Sequence, residues 1–180
     1  PAVWILGLGS ACMYVSRYGV NNWGMVLLQE GKGYSLTDAG AVLSAYSLAG
    51  LVGSATAGLL TDVFFGSRRN VLALILGVLQ AAAIAALFVI PPGHVGLDVL
   101  VLVVFGYALG GLLVFLGGLM AVDITSKRAV GAAMGVIGVM SYAGAAIQDT
   151  VSGILIDQGA VVCDSAPCLA SFRPLGVFWV

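Results

Sequence analysis

The sequence predicts an all-α membrane protein with five complete transmembrane helices and the start of a sixth, and three observations predict it. Of the 180 residues, 61% are hydrophobic and only 8% are charged, whereas a soluble domain carries roughly 25% charged residues. The mean hydropathy is +1.10. The apolar runs far exceed the roughly 9 to 11 alternating residues of a barrel strand, so helices satisfy the backbone in lipid. A net charge of −1 supplies no basic face for nucleic acid, which is excluded as a partner.

With about 20 apolar residues needed to cross a bilayer, helices are expected over about 3–28, 39–61, 70–90, 97–122 and 129–156, and a sixth starts within 172–180. The first is closed by EGKGYSLTD (30–38) and the second by DVFFGSRRN (62–70). The third stops at PPGHVGLD (91–98), the fourth at DITSKRA (123–129) and the fifth at DQGAVVCDSAPC (157–168). Each break is rich in the Gly, Pro, Ser and Asp of turns. The chain starts at Pro1 without a charged leader and stops inside the apolar PLGVFWV, so residues 1–180 read as a single fragment of a longer protein.

Short loops let basic residues set the orientation. Arg68, Arg69, Lys127 and Arg128 outnumber Lys32 and Arg173 on the other side, which places loops 62–70 and 123–129 in the cytoplasm. The loop holding Cys163 and Cys168 is then extracytoplasmic, where a disulfide between them would persist. The two read equally well as unpaired small residues, and Cys12 reads as a packing residue.

Small residues recur at helical spacing. Gly131, Gly135, Gly138, Tyr142, Ala145, Asp149 and Ser152 share one face of the fifth helix, and Ser47, Gly50, Ser54 and Gly58 one face of the second. These faces are expected to pack tightly or line a cavity. AGLLTD (57–62) and SGILID (152–157) close helices that run in opposite directions, as an inverted repeat of three helices would leave them.

Within the first apolar run, SRYGVNNWG (16–24) holds an arginine. A charge inside the bilayer is costly and by default faces a cavity or a partner. Arg17 lies about 21 Å along a helix that needs roughly 30 Å to span. Ser10, Tyr14, Asn21 and Gly24 share its face. Two readings stand: a ligand for an anion, or half of a buried ion pair. Asp149 is the carboxylate set well within a helix, but counting from Ala129 puts it some 9 Å farther across the membrane than Arg17. Tyr142 falls level with Arg17 on the same count. Arginine presents a planar fork of donors suited to carboxylate or phosphate oxygens. Tyr14, Asn21 and Tyr142 would add hydroxyls and an amide around an oxyanion-bearing solute.

GLLTDVFFGSRRN (58–70) sets Gly58, Asp62, Gly66, Arg68 and Arg69 at the spacing of the loop between the second and third helix of each half in the major facilitator superfamily, which it resembles. In that loop the glycine allows close helix contact while Asp62, Arg68 and Arg69 would form a charge network that locks a gate. YVSRYGVNNWG (14–24) is similar to the seventh-helix signature of the organophosphate:phosphate antiporter family through Tyr14, Arg17, Gly19 and Trp23, and Asn22 stands where an aspartate is frequent. KRAVGAAMGVIGVMSYAGA (127–145) resembles the family's eleventh helix through Lys127, Gly131, Gly135, Gly138 and Tyr142.

The resemblance implies the C-terminal six-helix half of a twelve-helix transporter, whose partner is the N-terminal half of the same chain. It implies a secondary active antiporter in a bacterial-type plasma membrane, exchanging an organic phosphate for inorganic phosphate by alternating access. Arg17, Tyr14, Asn21 and Tyr142 would bind substrate, with no cofactor. Two further readings are a membrane sensor of sugar phosphate and a transporter of another organic anion. An enzyme is not expected: His94 lies in a Pro-Gly turn, and neither metal-ligand spacing nor a nucleophile triad is present.

Overall fold

The computed structural model describes residues 2–64, 69–160 and 172–180. Among the described residues six helices follow one another. The first, α1, is continuous over Ala2–Tyr18, Gly19–Trp23, Gly24–Val26 and Leu27–Gly31, the second and fourth of these stretches being π-helical. Then come α2 (Leu36–Phe64) and α3 (Arg69–Val89). The fourth, α4, joins Val95–Val114, a π-helical Phe115–Leu119 and Met120–Ile124. The last two are α5 (Val130–Ala160) and α6 (Arg173–Trp179). Four of these, Leu36–Val63, Arg69–Val89, Val95–Ile124 and Val130–Gln158, are long and apolar enough to cross a membrane.

Local chemistry explains the ends. After α1, Gly33 takes a φ of 73° that a glycine adopts freely. Ser35 then caps α2: its Oγ accepts from the Asp38 backbone N–H at 3.1 Å and donates to the Asp38 carboxylate at 2.7 Å. Pro91 and Pro92 cannot continue α3, and Gly93 turns the chain with a φ of 96°. Pro174 occupies the first turn of α6, where no backbone donor is needed.

Large apolar side chains such as Leu48, Leu51, Leu74, Val78 and Val177 point outward. In water such a surface would aggregate, and in lipid it is the surface required. The protein is an integral membrane protein. Its core lies around Ile84, Leu102, Phe105, Phe115 and Trp179.

Glycines set the helix pairs. The longest contacts run between α2 and α4 and between α1 and α5. A Cβ at Gly53, Gly106 or Gly110 would collide with the backbone of the opposite helix, at Tyr107, Tyr46 and Gly50 respectively. The bare backbones therefore touch, as close-packed membrane helices do. In the other pair Gly144 approaches Ala11, whose carbonyl oxygen would lie 2.7 Å from a Cβ at that glycine.

The small-residue stripes read from the sequence divide in two. Gly50, Ala145 and Ser152 face neighbouring helices, whereas Gly58, Gly131, Gly135 and Gly138 have nothing within 4 Å of an added Cβ. Periodicity groups residues on a face without saying which part of the face meets a neighbour.

Exchanging the first three helices with the last three carries the α1 and α5 pair onto the α4 and α2 pair. One π-helical stretch of α1 follows the same exchange, since Phe115 in α4 stands 96 positions after Gly19 in α1, while Leu27–Gly31 has no such counterpart among the described residues. That is the pattern of two three-helix repeats of inverted topology.

At the end of the molecule away from Arg69 and Lys127, Lys32 and Asp98 are 3% and 0% exposed and form an ion pair at 2.5 Å. The Tyr34 hydroxyl donates to the other Asp98 oxygen at 2.5 Å. Burial pushes the Lys32 ammonium below its ordinary range, and Asp98 opposes that shift. Burial and then Asp98 both push the Tyr34 phenol upward. The cluster ties the chain leaving α1 to the first turn of α4.

Two measurements of thermal unfolding in detergent check this packing. Gly110→Ala is expected to destabilise by about 1–3 kcal/mol through overpacking, while Gly96→Ala, which meets nothing within 4 Å, leaves the Tm unchanged. Asp98→Ala strands the Lys32 ammonium and is expected to cost about 3–5 kcal/mol, most of it recovered in the Lys32→Met, Asp98→Leu double variant.

Candidate functional site

Arg17 sits at the last α-helical turn of α1, directly before the π-helical stretch. A π-helical turn inserts an extra residue, and such turns often mark functional sites. Here it turns two consecutive asparagines to different neighbours. Asn21 Oδ1 accepts from the Tyr46 hydroxyl of α2 at 3.0 Å. Asn22 Nδ2 lies 2.9 and 3.1 Å from the two carboxylate oxygens of Asp149 on α5.

Rings surround the arginine. Its Cζ lies 5.3 Å from the Tyr14 ring centroid and 5.6 Å from that of Tyr18, within cation–π range. Tyr14 stacks on Tyr18 at 5.7 Å and meets the Tyr142 ring edge-on at 5.6 Å. Tyr18 and Tyr142 are 6.5 Å apart. Of the two sequence readings of Arg17, the ion pair finds no support: among the described residues no carboxylate pairs with it, and Asp149 binds Asn22 instead. The donors of the guanidinium likewise find no hydrogen-bond acceptor among the described residues.

The structure thus brings Arg17, Tyr14 and Tyr142 together, and places Asn21 beside them against α2. The group lies on an open face: Tyr142 is 62% exposed and Asn21 and Asn22 are exposed. Buried contacts fix this face from behind. Tyr46 stacks on Phe105 of α4 at 5.6 Å. Ser10 and Ser141 hydroxyls hydrogen-bond at 2.7 Å between α1 and α5. On α6, Trp179 offers its carbonyl to Ser16 at 2.5 Å and donates through its indole N–H to Ser152 at 2.9 Å. Gly19 leaves room for the same Trp179 ring, which would lie 2.7 Å from a Cβ. Trp23 packs on Gly153, where a Cβ would lie 3.6 Å from its ring. A cavity of about 490 Å³ opens on another face of α1, beside Met13, Ser16, Ala73, Gln80 and Leu112, and does not include Arg17.

Sequence reasoning missed Tyr18, Tyr46 and the role of Asn22. Tyr18 carried a signal, an aromatic ring adjacent to the intramembrane cation. Tyr46 carried less, a hydroxyl in the middle of an apolar helix.

The expected gating residues are described only in part. Gly66 and Arg68 lie outside the described residues, as do Cys163 and Cys168. Asp62 is exposed at the end of α2. Gly58, expected at a close helix contact, has open space over its Cα within this chain. Arg69 reaches across to α4, donating to Asp123 at 2.6 Å and to the Leu119 carbonyl at 3.3 Å. Asp123 is thus a partner that the loop motif alone did not supply.

Comparison with known proteins shows the family of the chain. Residues 6–172 match the family model of the Major Facilitator Superfamily. The chain is 28% identical to a glycerol-3-phosphate transporter of Bacillus subtilis over 98% of its own length and 41% of the relative's. It is 28% identical to the membrane sensor protein UhpC of Salmonella typhimurium, covering 82% of this chain and 33% of that one. A probable hexose phosphate transport protein of Chlamydia trachomatis is 31% identical over 80% of this chain and 32% of its own. The chain therefore spans less than half the length of these relatives. It belongs to the Major Facilitator Superfamily, and these relatives bear out its resemblance to the organophosphate:phosphate antiporter family within it.

Proposed function

We propose that the chain is the C-terminal half of a secondary active transporter that exchanges an organic phosphate for inorganic phosphate by alternating access. The observation that carries this reading is the guanidinium of Arg17, in a membrane helix, flanked by tyrosine rings and without a carboxylate among the described residues. The rings hold the planar fork in place, and its donors can take phosphate oxygens two at a time. Tyr14 and Tyr142 present hydroxyls on the same face, and Asn21 is held beside them by Tyr46. An arginine of the N-terminal half would complete the phosphate site.

Arg17 would release one phosphate and capture another, so that the cavity crosses the membrane loaded in both directions. The basic residues of loops 62–70 and 123–129 support a cytoplasmic side for those loops, in a bacterial-type plasma membrane. There Asp62, Arg68 and Arg69 would lock the inner gate beside Gly58, with Asp123 as the partner of Arg69. The names of the transporters at 28% and 31% identity support a phosphate ester as substrate.

The similarity to a membrane sensor protein favours a second reading, a receptor that binds the same ligand and signals without transporting it. Phosphate binding without uptake by full-length protein in vesicles selects the receptor.

Arg17→Lys in the full-length protein, reconstituted in vesicles, is expected to slow phosphate exchange by about ten- to a hundredfold, because a point charge replaces the fork. Exchange at the wild-type rate would overturn the assignment.

A further inference from the structure

Tyr46 is buried in the middle of α2, only 6% exposed. Its ring stacks on Phe105 of α4, and Gly106 leaves room for it, since the ring would lie 2.9 Å from a Cβ at that glycine. A buried phenol has to give its proton to an acceptor or bear the cost of leaving it unpaired. Among the described residues its acceptor is Oδ1 of Asn21, at 3.0 Å. The direction of this hydrogen bond is therefore fixed: the tyrosine donates and the amide oxygen accepts.

A side-chain amide carries its acceptor and its two donors on opposite sides of one plane. With Oδ1 turned to α2, Nδ2 of Asn21 is turned away from Tyr46. Asn21 is exposed on the face that carries Arg17. It follows Arg17 by four residues, about 6 Å along α1, a separation that the long guanidinium side chain and the short amide can close over one tetrahedral oxyanion. Asn22 spends its Nδ2 on Asp149, whereas Nδ2 of Asn21 meets no acceptor among the described residues. If the tyrosine did not hold it, a half-turn of the amide would present the carbonyl oxygen to the site, and that oxygen repels an anion.

We infer that Tyr46 is a positioning residue of the anion site, holding the Asn21 amide so that Nδ2 donates to an oxygen of the same phosphoryl group that Arg17 binds. This rests on the phosphate reading of Arg17. Tyr46 touches no ligand itself and acts through Asn21, as a group that locks the rotamer of a binding side chain does. Because the donor meets the phosphoryl group, inorganic phosphate and a phosphate ester depend on it alike. Because the hydroxyl acts through the amide, its removal matters only while an amide stands at position 21.

The test uses the full-length protein in vesicles and measures the Kd of labelled inorganic phosphate, with that of glycerol 3-phosphate read by competition. Loss of folded protein lowers the number of sites and leaves these constants unchanged. Asn21→Ala is expected to weaken both ligands about tenfold, the scale of a lost hydrogen bond to a charged group. Tyr46→Phe keeps the ring on Phe105 and is expected to weaken both about threefold. The double variant is expected to bind no more weakly than Asn21→Ala alone, since the two residues form one unit. Asn21→Asp, of the same shape but without a donor, is expected to bind more weakly than Asn21→Ala. Wild-type affinity in Asn21→Ala or in Tyr46→Phe overturns the proposal, and so does weakening of the ester alone. Equal losses from Tyr46→Phe with and without Asn21 make the tyrosine merely structural and also overturn it. A wild-type protein that binds no phosphate overturns the reading of Arg17 and this proposal with it, whereas a phosphate-binding protein in which the two losses are independent overturns this proposal alone.

Discussion

A positive charge inside a membrane helix must be compensated by something, and the choice of compensation shapes this structure. Pairing Arg17 with a carboxylate would neutralise it and leave nothing for a ligand. Instead the guanidinium lies against the rings of Tyr14 and Tyr18, with Tyr142 closing the cluster from α5. Ring faces attract a cation without consuming its hydrogen-bond donors. That solution fixes much else: α5 must lie along α1 at ring-contact distance, and the turn after Arg17 must widen so that Asn21 and Asn22 reach different helices.

The supporting geometry depends on absent side chains. Bare backbone contact at Gly53, Gly106 and Gly110 brings α2 against α4, and Gly144 brings α5 against α1. With α2 held at that distance, Tyr46 spans from the Phe105 ring to Asn21. The site therefore draws on α2 and α4 as well as on α1 and α5, and among the described residues α1 and α5 carry its charges.

Much of this was legible in the sequence, and the reasons for the rest are physical. Long apolar runs report membrane helices because lipid leaves the backbone no other partner, and an arginine inside one is conspicuous for its cost. Counting helical rise already separated Asp149 from Arg17. It did not reveal Asn22 as the partner, since the answer depends on a π-helical turn that alters hydrogen bonding without altering composition. The glycine stripe of α5 was visible, but the glycine that meets the backbone of α1 is Gly144, off that stripe, because rotation of a helix about its axis is set by its neighbours. Lys32 and Asp98 each read as loop charges, and nothing local indicates that they bury each other.

That last pair also bears on how the chain is assembled. Lys32 is synthesised 66 residues ahead of Asp98, and the whole of α2 and α3 must be made in between. Until α4 arrives, the ammonium has no buried counter-ion and has to stay in contact with water at the membrane surface. Closing the far end of α1 is consequently a late event in folding. The first helix enters the bilayer before the interactions that hold its end exist, and it is α4, rather than its neighbour in sequence, that locks it.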